Sequence, residues 1–273
     1  IKMLKENKKS RTLVNIIGVP FLLFIIWKGS FWFTVPISLL ILLSTLELLS
    51  LSKIQQAEPI PYLLPVGIIL LILNITSIIS IDKISILILI CLLTLIIEIF
   101  RDKKKPLLNI TIINFGMIWL GLMFSSLITL RLIPDYGLVT TIFIFLSVWV
   151  CDTFAFVFGS KFGKNKIVPL VSPNKSWEGS IAGFLGSFIL MLLFYYNNLF
   201  ESRLNFFDLL CLSIITGMLS QLGDFAESLF KREAGVKDTS DYLQGHGGVL
   251  DRFDSMIIAA PLTLLYLQYI KNF

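Results

Sequence analysis

Apolar residues run along this chain in blocks, each broken by a short polar, proline or glycine stretch. Nine such blocks can be marked, at roughly 12–27, 31–51, 60–80, 84–100, 107–130, 137–158, 178–197, 206–224 and 254–270. A helix rises about 1.5 Å per residue, so ~20 apolar residues cover the hydrocarbon of a bilayer. The pattern therefore predicts about nine transmembrane helices. The first is short and carries Gly18 and Pro20, which predicts a kinked or re-entrant segment. The seventh is the wettest and ends in "YYNN".

Composition agrees. The chain is 56% hydrophobic and 15% charged, with a mean hydropathy of +0.85, against about 25% charged in an ordinary soluble domain. No polar stretch is long enough to form a large soluble domain. The expected fold is all-α, a single polytopic integral membrane domain. Within it, residues 1–133 supply scaffold helices and oligomer contacts, and residues 134–273 the catalytic part. Cys91, Cys151 and Cys211 lie in or at the ends of apolar runs without metal or disulfide spacing, and read as small buried hydrophobes. The basic start "IKMLKENKKSR" has no small-residue cleavage site after it, so a retained first helix is expected.

Charge sets the orientation. With the N-terminus placed in the cytoplasm and the nine helices alternating, 18 of the 23 Lys and Arg residues fall on one side and 5 on the other. The positive-inside rule makes the rich side cytoplasmic. Two long connections lie there, about 159–177 ("GSKFGKNKIVPLVSPNKSW") and about 225–253, so the polar chemistry gathers on the cytoplasmic face of a multi-pass protein of the cell membrane.

The acids give that face a purpose. Asp152 stands inside an apolar run, where an ionisable group is costly unless paired or wetted, and is a functional candidate. Glu98 reads as structural, one turn from the interface with Arg101 at i+3, and Glu47 as the partner of a buried neighbour. Asp224 and Glu227 share one helix face, as do Asp251 and Asp254, each pair spaced i,i+3. Two helix ends presenting carboxylates suit a hard divalent cation that also binds substrate phosphate. Lys231, Arg232, Lys237 and Arg252 flank these acids and Lys175 lies on the same side, which suits a phosphoanion. Helix-end electrostatics explain one acid or base per end but not such a convergence. "GHGG", with Gly247 and Gly248, brings backbone N–H groups close to a phosphate. Gly179, Gly183 and Ser187 at i+4 spacing read instead as a stripe for close helix packing. His246, the single histidine, either orients a phosphate or bonds backbone in a turn.

Residues Ser228 to Asp254, "SLFKREAGVKDTSDYLQGHGGVLDRFD", resemble the signature of the phosphatidate cytidylyltransferases, the CDP-diacylglycerol synthases. A Ser, Lys-Arg, Lys-Asp after four residues, His-Gly-Gly and Asp-Arg-x-Asp all stand at the family spacing. "CDTFAFVFGSKFGKNKI", "SPNKSWEG" and "GDFAESLFKR" resemble family segments too. The likeness covers about 150–255; the first 130 residues agree only in being apolar helices. Gln244 departs from the Pro or Gly usual at its position.

The resemblance implies conversion of CTP and phosphatidic acid to CDP-diacylglycerol and pyrophosphate by metal-dependent nucleotidyl transfer. It makes Asp224 and Asp251 ligands of Mg²⁺ (or Mn²⁺), placed side by side, with Asp254 in support. A second, monovalent cation such as K⁺ could share the site. Lys231 and Arg252 join Asp224 and Asp251 in catalysis, while Asp152, Ser172, Lys175, Arg232, Lys237, His246, Gly247 and Gly248 handle substrate. Membrane lipids and a second copy in a homodimer are the implied partners, with no nucleic acid. A polyprenol kinase, a synthase acting on ether lipids and a transporter of phosphorylated anions are the rival readings. The outer side's few bases count against the transporter.

Overall fold

The computed structural model describes residues 18–201, 204–240 and 247–271, and these form nine apolar helical segments with no strand among them. They are α1 (Gly18–Lys28), α2 (Ser30–Ile54), α3 (Leu63–Ile75), α4 (Lys83–Phe100), α5 (Pro106–Arg131), α6 (Gly137–Phe162), α7 (Trp177–Tyr196), α8 (Phe206–Glu233) and α9 (Leu250–Ile270). All but α1 and α3 are long and apolar enough to cross a membrane.

Local chemistry sets the boundaries. Asp82 caps α4 by accepting from the Ser85 N–H at 2.9 Å, and Ser176 caps α7 through the Gly179 N–H at 3.2 Å. Asn205 and Asp208 form a reciprocal capping box at the start of α8. Pro106 opens α5, where its missing N–H costs nothing. The run at 60–80 forms only the 13 residues of α3. Ser77 turns the chain with φ 59°, and the Asn74 amide donates to the Ile81 carbonyl at 2.6 Å. At about 20 Å this helix is shorter than the bilayer core.

Two helices in the last third run past the ends of their apolar patterns. The eighth run stops at 224, but α8 continues to Glu233, and α9 starts at Leu250 instead of 254. The added turns are polar because their polar side chains pair with one another inside the bundle.

Small residues let the helices close up. The predicted stripe packs α7 against α6: a Cβ on Gly183 would meet the Cys151 carbonyl oxygen at 2.9 Å, and one on Gly179 the Ala155 carbonyl at 2.8 Å. Ser187 donates to the Ser147 carbonyl at 3.0 Å. A π-helical turn at Ile215–Leu219 opens the hydrogen-bond ladder of α8. There the Gly217 carbonyl accepts from Cys151 Sγ at 3.1 Å and Gln221 Nε2 at 2.7 Å, so that carbonyl is not left bare.

Polar ties hold both ends. Arg131 donates to the last carbonyls of α1, Ile26 at 2.7 Å and Trp27 at 3.3 Å. Lys271 and Tyr266 join Asp208 at 2.9 and 2.7 Å, locking the end of α9 to the start of α8. At the opposite end Lys103 pairs with Glu58 at 2.6 Å, and its hydrogen bond holds that carboxyl below the usual range. Glu98 pairs with Arg101 at 2.9 Å and accepts from Asn109 at 2.5 Å, the structural role that its spacing predicts.

Candidate functional site

Three connections meet at one end of the bundle: the one between α6 and α7, the one between α8 and α9, and the last two turns of α2. The α6–α7 connection folds back on itself through an antiparallel bridge between Lys166 and Ser176. Its Trp177 N–H reaches the Asn165 carbonyl at 2.9 Å, and the Ile167 N–H the Lys175 carbonyl at 3.2 Å. Ser172 lies in the turn before Lys175, whose N–H donates to the Ser172 carbonyl at 3.3 Å. This fold holds Lys175 over α8.

Lys175 Nζ lies 2.5 Å from Asp224 Oδ2 and 4.6 Å from the centre of the Phe225 ring. Asp152 from α6 and Asp254 from α9 interact electrostatically with both Asp224 and Lys175. Asp152 lies in the C-terminal half of the 26-residue α6 and is exposed there; an ionisable group in such a helix is tolerated where it is paired or wetted. Asp152 on α6, Asp224 on α8 and Asp254 on α9 thus share the electrostatic field of one lysine, and of the three it is Asp224 that pairs with it.

A second group lies beside it. Lys231 Nζ bridges Glu227 Oε2 at 2.8 Å and Asp251 Oδ1 at 2.6 Å. The other Asp251 oxygen, Oδ2, accepts from the Gly248 N–H at 2.7 Å, the Thr239 N–H at 3.0 Å and the Thr239 hydroxyl at 2.8 Å. Gly247 takes φ 75°, a conformation that glycine adopts without strain. The Gly248 N–H, expected to face a phosphate, donates to Asp251 here. Arg232 Nε donates to the Val171 carbonyl at 3.2 Å, joining the two loops next to Ser172.

Asp224 and Asp251, expected side by side, have different counter-ions. Asp224 is held by Lys175 and Asp251 by Lys231, and Asp254 is the α9 carboxylate that interacts with Asp224. The i,i+3 spacing did put Asp224 and Glu227 on one face of α8, but the two serve separate ion pairs. Arg232, Lys237 and Arg252 are exposed around the rim. His246 and Gln244 lie outside the described residues.

A divalent cation fits this donor set in one way. Among the described residues no group of three His, Cys, Asp or Glu side chains could close a shell by itself. Among the described residues Asp224 Oδ1 accepts one long bond, 3.4 Å from the Ser228 hydroxyl, which leaves it a lone pair for a cation. One or two carboxylates, completed by water and substrate phosphate, is the mode Mg²⁺ prefers.

Sequence reasoning missed Thr239, Ser240 and Phe225, and weighed Glu47 chiefly as a buried partner. Glu47 is fully buried in α2 and accepts four hydrogen bonds from the α8–α9 connection and the first turn of α9. An acid inside an apolar run with no base within four residues on either side was the available signal.

Comparison with known proteins matches the site's third of the chain and most of the rest. The model of the cytidylyltransferase family matches residues 9–270. A phosphatidate cytidylyltransferase of Haemophilus influenzae is 45% identical over 130 residues, which is 47% of this chain and 45% of that protein. Phosphatidate cytidylyltransferases of Staphylococcus aureus and Staphylococcus epidermidis are 32% and 34% identical over 256 residues. Each of those matches covers 93% of this chain and 96% of the relative.

Proposed function

The chain belongs to the cytidylyltransferase family, and from that premise we propose that it is a phosphatidate cytidylyltransferase, a membrane-embedded nucleotidyltransferase of phospholipid biosynthesis. It converts CTP and phosphatidic acid to CDP-diacylglycerol and pyrophosphate. The observation that carries this reading is the Lys175–Asp224 pair, with Asp152 and Asp254 in its electrostatic field, beside the Glu227–Lys231–Asp251 group.

The chemistry is a displacement at the α-phosphorus of CTP. A phosphate oxygen of phosphatidate forms the new O–P bond, and the bond from the α-phosphorus to the bridging oxygen of pyrophosphate breaks. The nucleophile is already an anion, so no strong general base is needed. The chain has to bring two anions together and hold them in line. Lys175 and Lys231 are fixed by carboxylates and so present ammonium groups at set positions with little entropy left to lose. Arg232, Lys237 and Arg252 neutralise phosphate oxygens at the rim. Asp224 and Asp251, with Asp254 in support, would hold Mg²⁺, which supplies charge neutralisation on the phosphates when bound. Mn²⁺ is the alternative, and a monovalent cation such as K⁺ would sit beside it.

The site faces the cytoplasm from the cell membrane, where soluble CTP and the lipid head group meet. The excess of basic residues on that side supports this orientation. The resemblance of residues 150–255 to the family supports a homodimer as the working form.

Purified protein given phosphatidate and CTP labelled at the α-phosphate tests the activity. Label in the lipid, lost with a chelator and restored by Mg²⁺, is the expected result. Lipid labelled only from the γ-phosphate would make the protein a lipid kinase instead.

A further inference from the structure

We infer that Glu47, in the N-terminal half of the chain, is a positioning residue that fixes the catalytic connection between α8 and α9. The inference rests on the cytidylyl-transfer reading for its kinetic consequence, but its geometry stands apart from that reading.

Glu47 lies in α2, two turns before the helix ends, and is 0% exposed. Among the described residues no Lys or Arg is paired with it. An ionised carboxylate cannot stay buried unless hydrogen bonds replace its water. Here four do so, from two stretches of the same connection. Oε1 accepts from the Ser240 hydroxyl at 2.6 Å and the Val249 N–H at 2.8 Å. Oε2 accepts from the Thr239 hydroxyl at 3.2 Å and the Leu250 N–H at 2.9 Å.

The two backbone donors are among the unpaired N–H groups that open α9, and a negative charge there is favoured by the helix dipole. Glu47 therefore acts as a cap supplied from about 200 residues away, a separation of 202 and 203 positions for the two amides. It also clasps Thr239–Ser240 to Val249–Leu250, so the two arms of the connection meet on one carboxylate. Gly248 fits between them because a Cβ there would meet Oε1 and Oε2 of Glu47 at 2.5 and 2.6 Å.

Thr239 carries the link to the reacting centre. Its hydroxyl lies 3.2 Å from Glu47 Oε2 and 2.8 Å from Asp251 Oδ2. Its single proton is shared between the two acceptors, so the hydroxyl ties the positions of the two carboxylates to each other. Displacing Glu47 frees Thr239 and the first turn of α9, and Asp251 and Arg252 lose their register with Lys231.

Glutamine is a sharp probe of this arrangement. Each Glu47 oxygen faces one backbone N–H. Whichever way the amide of Glu47→Gln is turned, its NH₂ group meets a backbone donor it cannot satisfy.

The test uses the full chain in lipid nanodiscs, comparing wild type, Glu47→Gln and the milder Ser240→Ala. Amide exchange is read by mass spectrometry, and CDP-lipid formation is read against CTP concentration. Glu47→Gln is expected to speed exchange at Val249 and Leu250 by about tenfold or more, leaving the α3 peptides unchanged. It is expected to lower kcat about tenfold and raise the KM for CTP about fivefold, since misplacing a site by a fraction of an ångström is enough. Ser240→Ala shifts both in the same direction by less. A merely destabilised chain would lose active molecules at an unchanged KM. Wild-type exchange and KM in Glu47→Gln overturn the inference; if that variant does not fold, the same result in Ser240→Ala does. A wild-type protein that makes no CDP-lipid refutes the activity, and the exchange comparison still decides the role of Glu47.

Discussion

Lys231 Nζ lies 2.6 Å from Asp251 Oδ1, joining the last turn of α8 to the first turn of α9. The same ammonium reaches Glu227 at 2.8 Å, so one cation holds two carboxylates. The side chains of Lys231, Glu227 and Asp251 are 13%, 4% and 8% exposed, and the group is therefore poorly screened by solvent. It closes the connection that carries Gly247 and Gly248 and leads into Arg252 on α9.

Removing that cation leaves two buried acids facing each other. Lys231→Met is expected to destabilise the fold by about 3 kcal/mol, as breaking a buried pair does. CDP-lipid formation should fall at least about a hundredfold. Thermal unfolding in detergent, followed by turnover of the folded fraction, checks both effects. Full activity in the folded fraction would remove Lys231 from the site.

Asp224 presents the opposite case. Its pair with Lys175 is partly open, at 32% and 26% side-chain exposure, and such pairs contribute little to stability, about 1 kcal/mol or less. Asp224→Asn should therefore unfold at nearly the wild-type temperature while losing activity about a thousandfold. Near-normal turnover would rule it out as a metal ligand.

Asp152 is accessible within an apolar helix and among the described residues pairs with no cation at hydrogen-bond distance, so Asp152→Ala should leave folded yield intact. It removes one of three carboxylates around Lys175, and activity is expected to fall about tenfold or more. Unchanged activity with unchanged yield would place Asp152 outside the site.

Gly183 tests the scaffold. A leucine there would drive side-chain atoms into the Cys151 carbonyl and sulfur, both 2.9 Å from the position of a Cβ. Overpacking of this kind costs about 1–3 kcal/mol. Because α6 carries Asp152 and α7 follows Lys175, Gly183→Leu should lower both melting temperature and activity. Loss of neither would show that the two helices have room to spare.

The apolar pattern placed a helical segment in each of its nine runs, seven of them long and apolar enough to cross a membrane, because hydrophobic length is a local property that a bilayer reads directly. It stopped early at α8 and started late at α9. A hydropathy pattern ends where polarity begins, whereas a helix ends where its hydrogen bonds end. The Asp224–Glu233 turns are polar and still helical because Glu227, Lys231 and Asp251 pair inside the protein. The acids, bases and glycines of the site were also legible, since their motif is continuous in the chain.

The sequence by itself determined an all-helical membrane protein, the residue types of its site and the family signature that gathers them. Only the tertiary structure decided who pairs with whom: Lys175 with Asp224, Lys231 with Asp251, and Glu47 with amides some 200 positions away. The physical reason is that helix formation and burial depend on neighbours along the chain. The choice of counter-ion depends on which helix ends meet, and no local spacing encodes that.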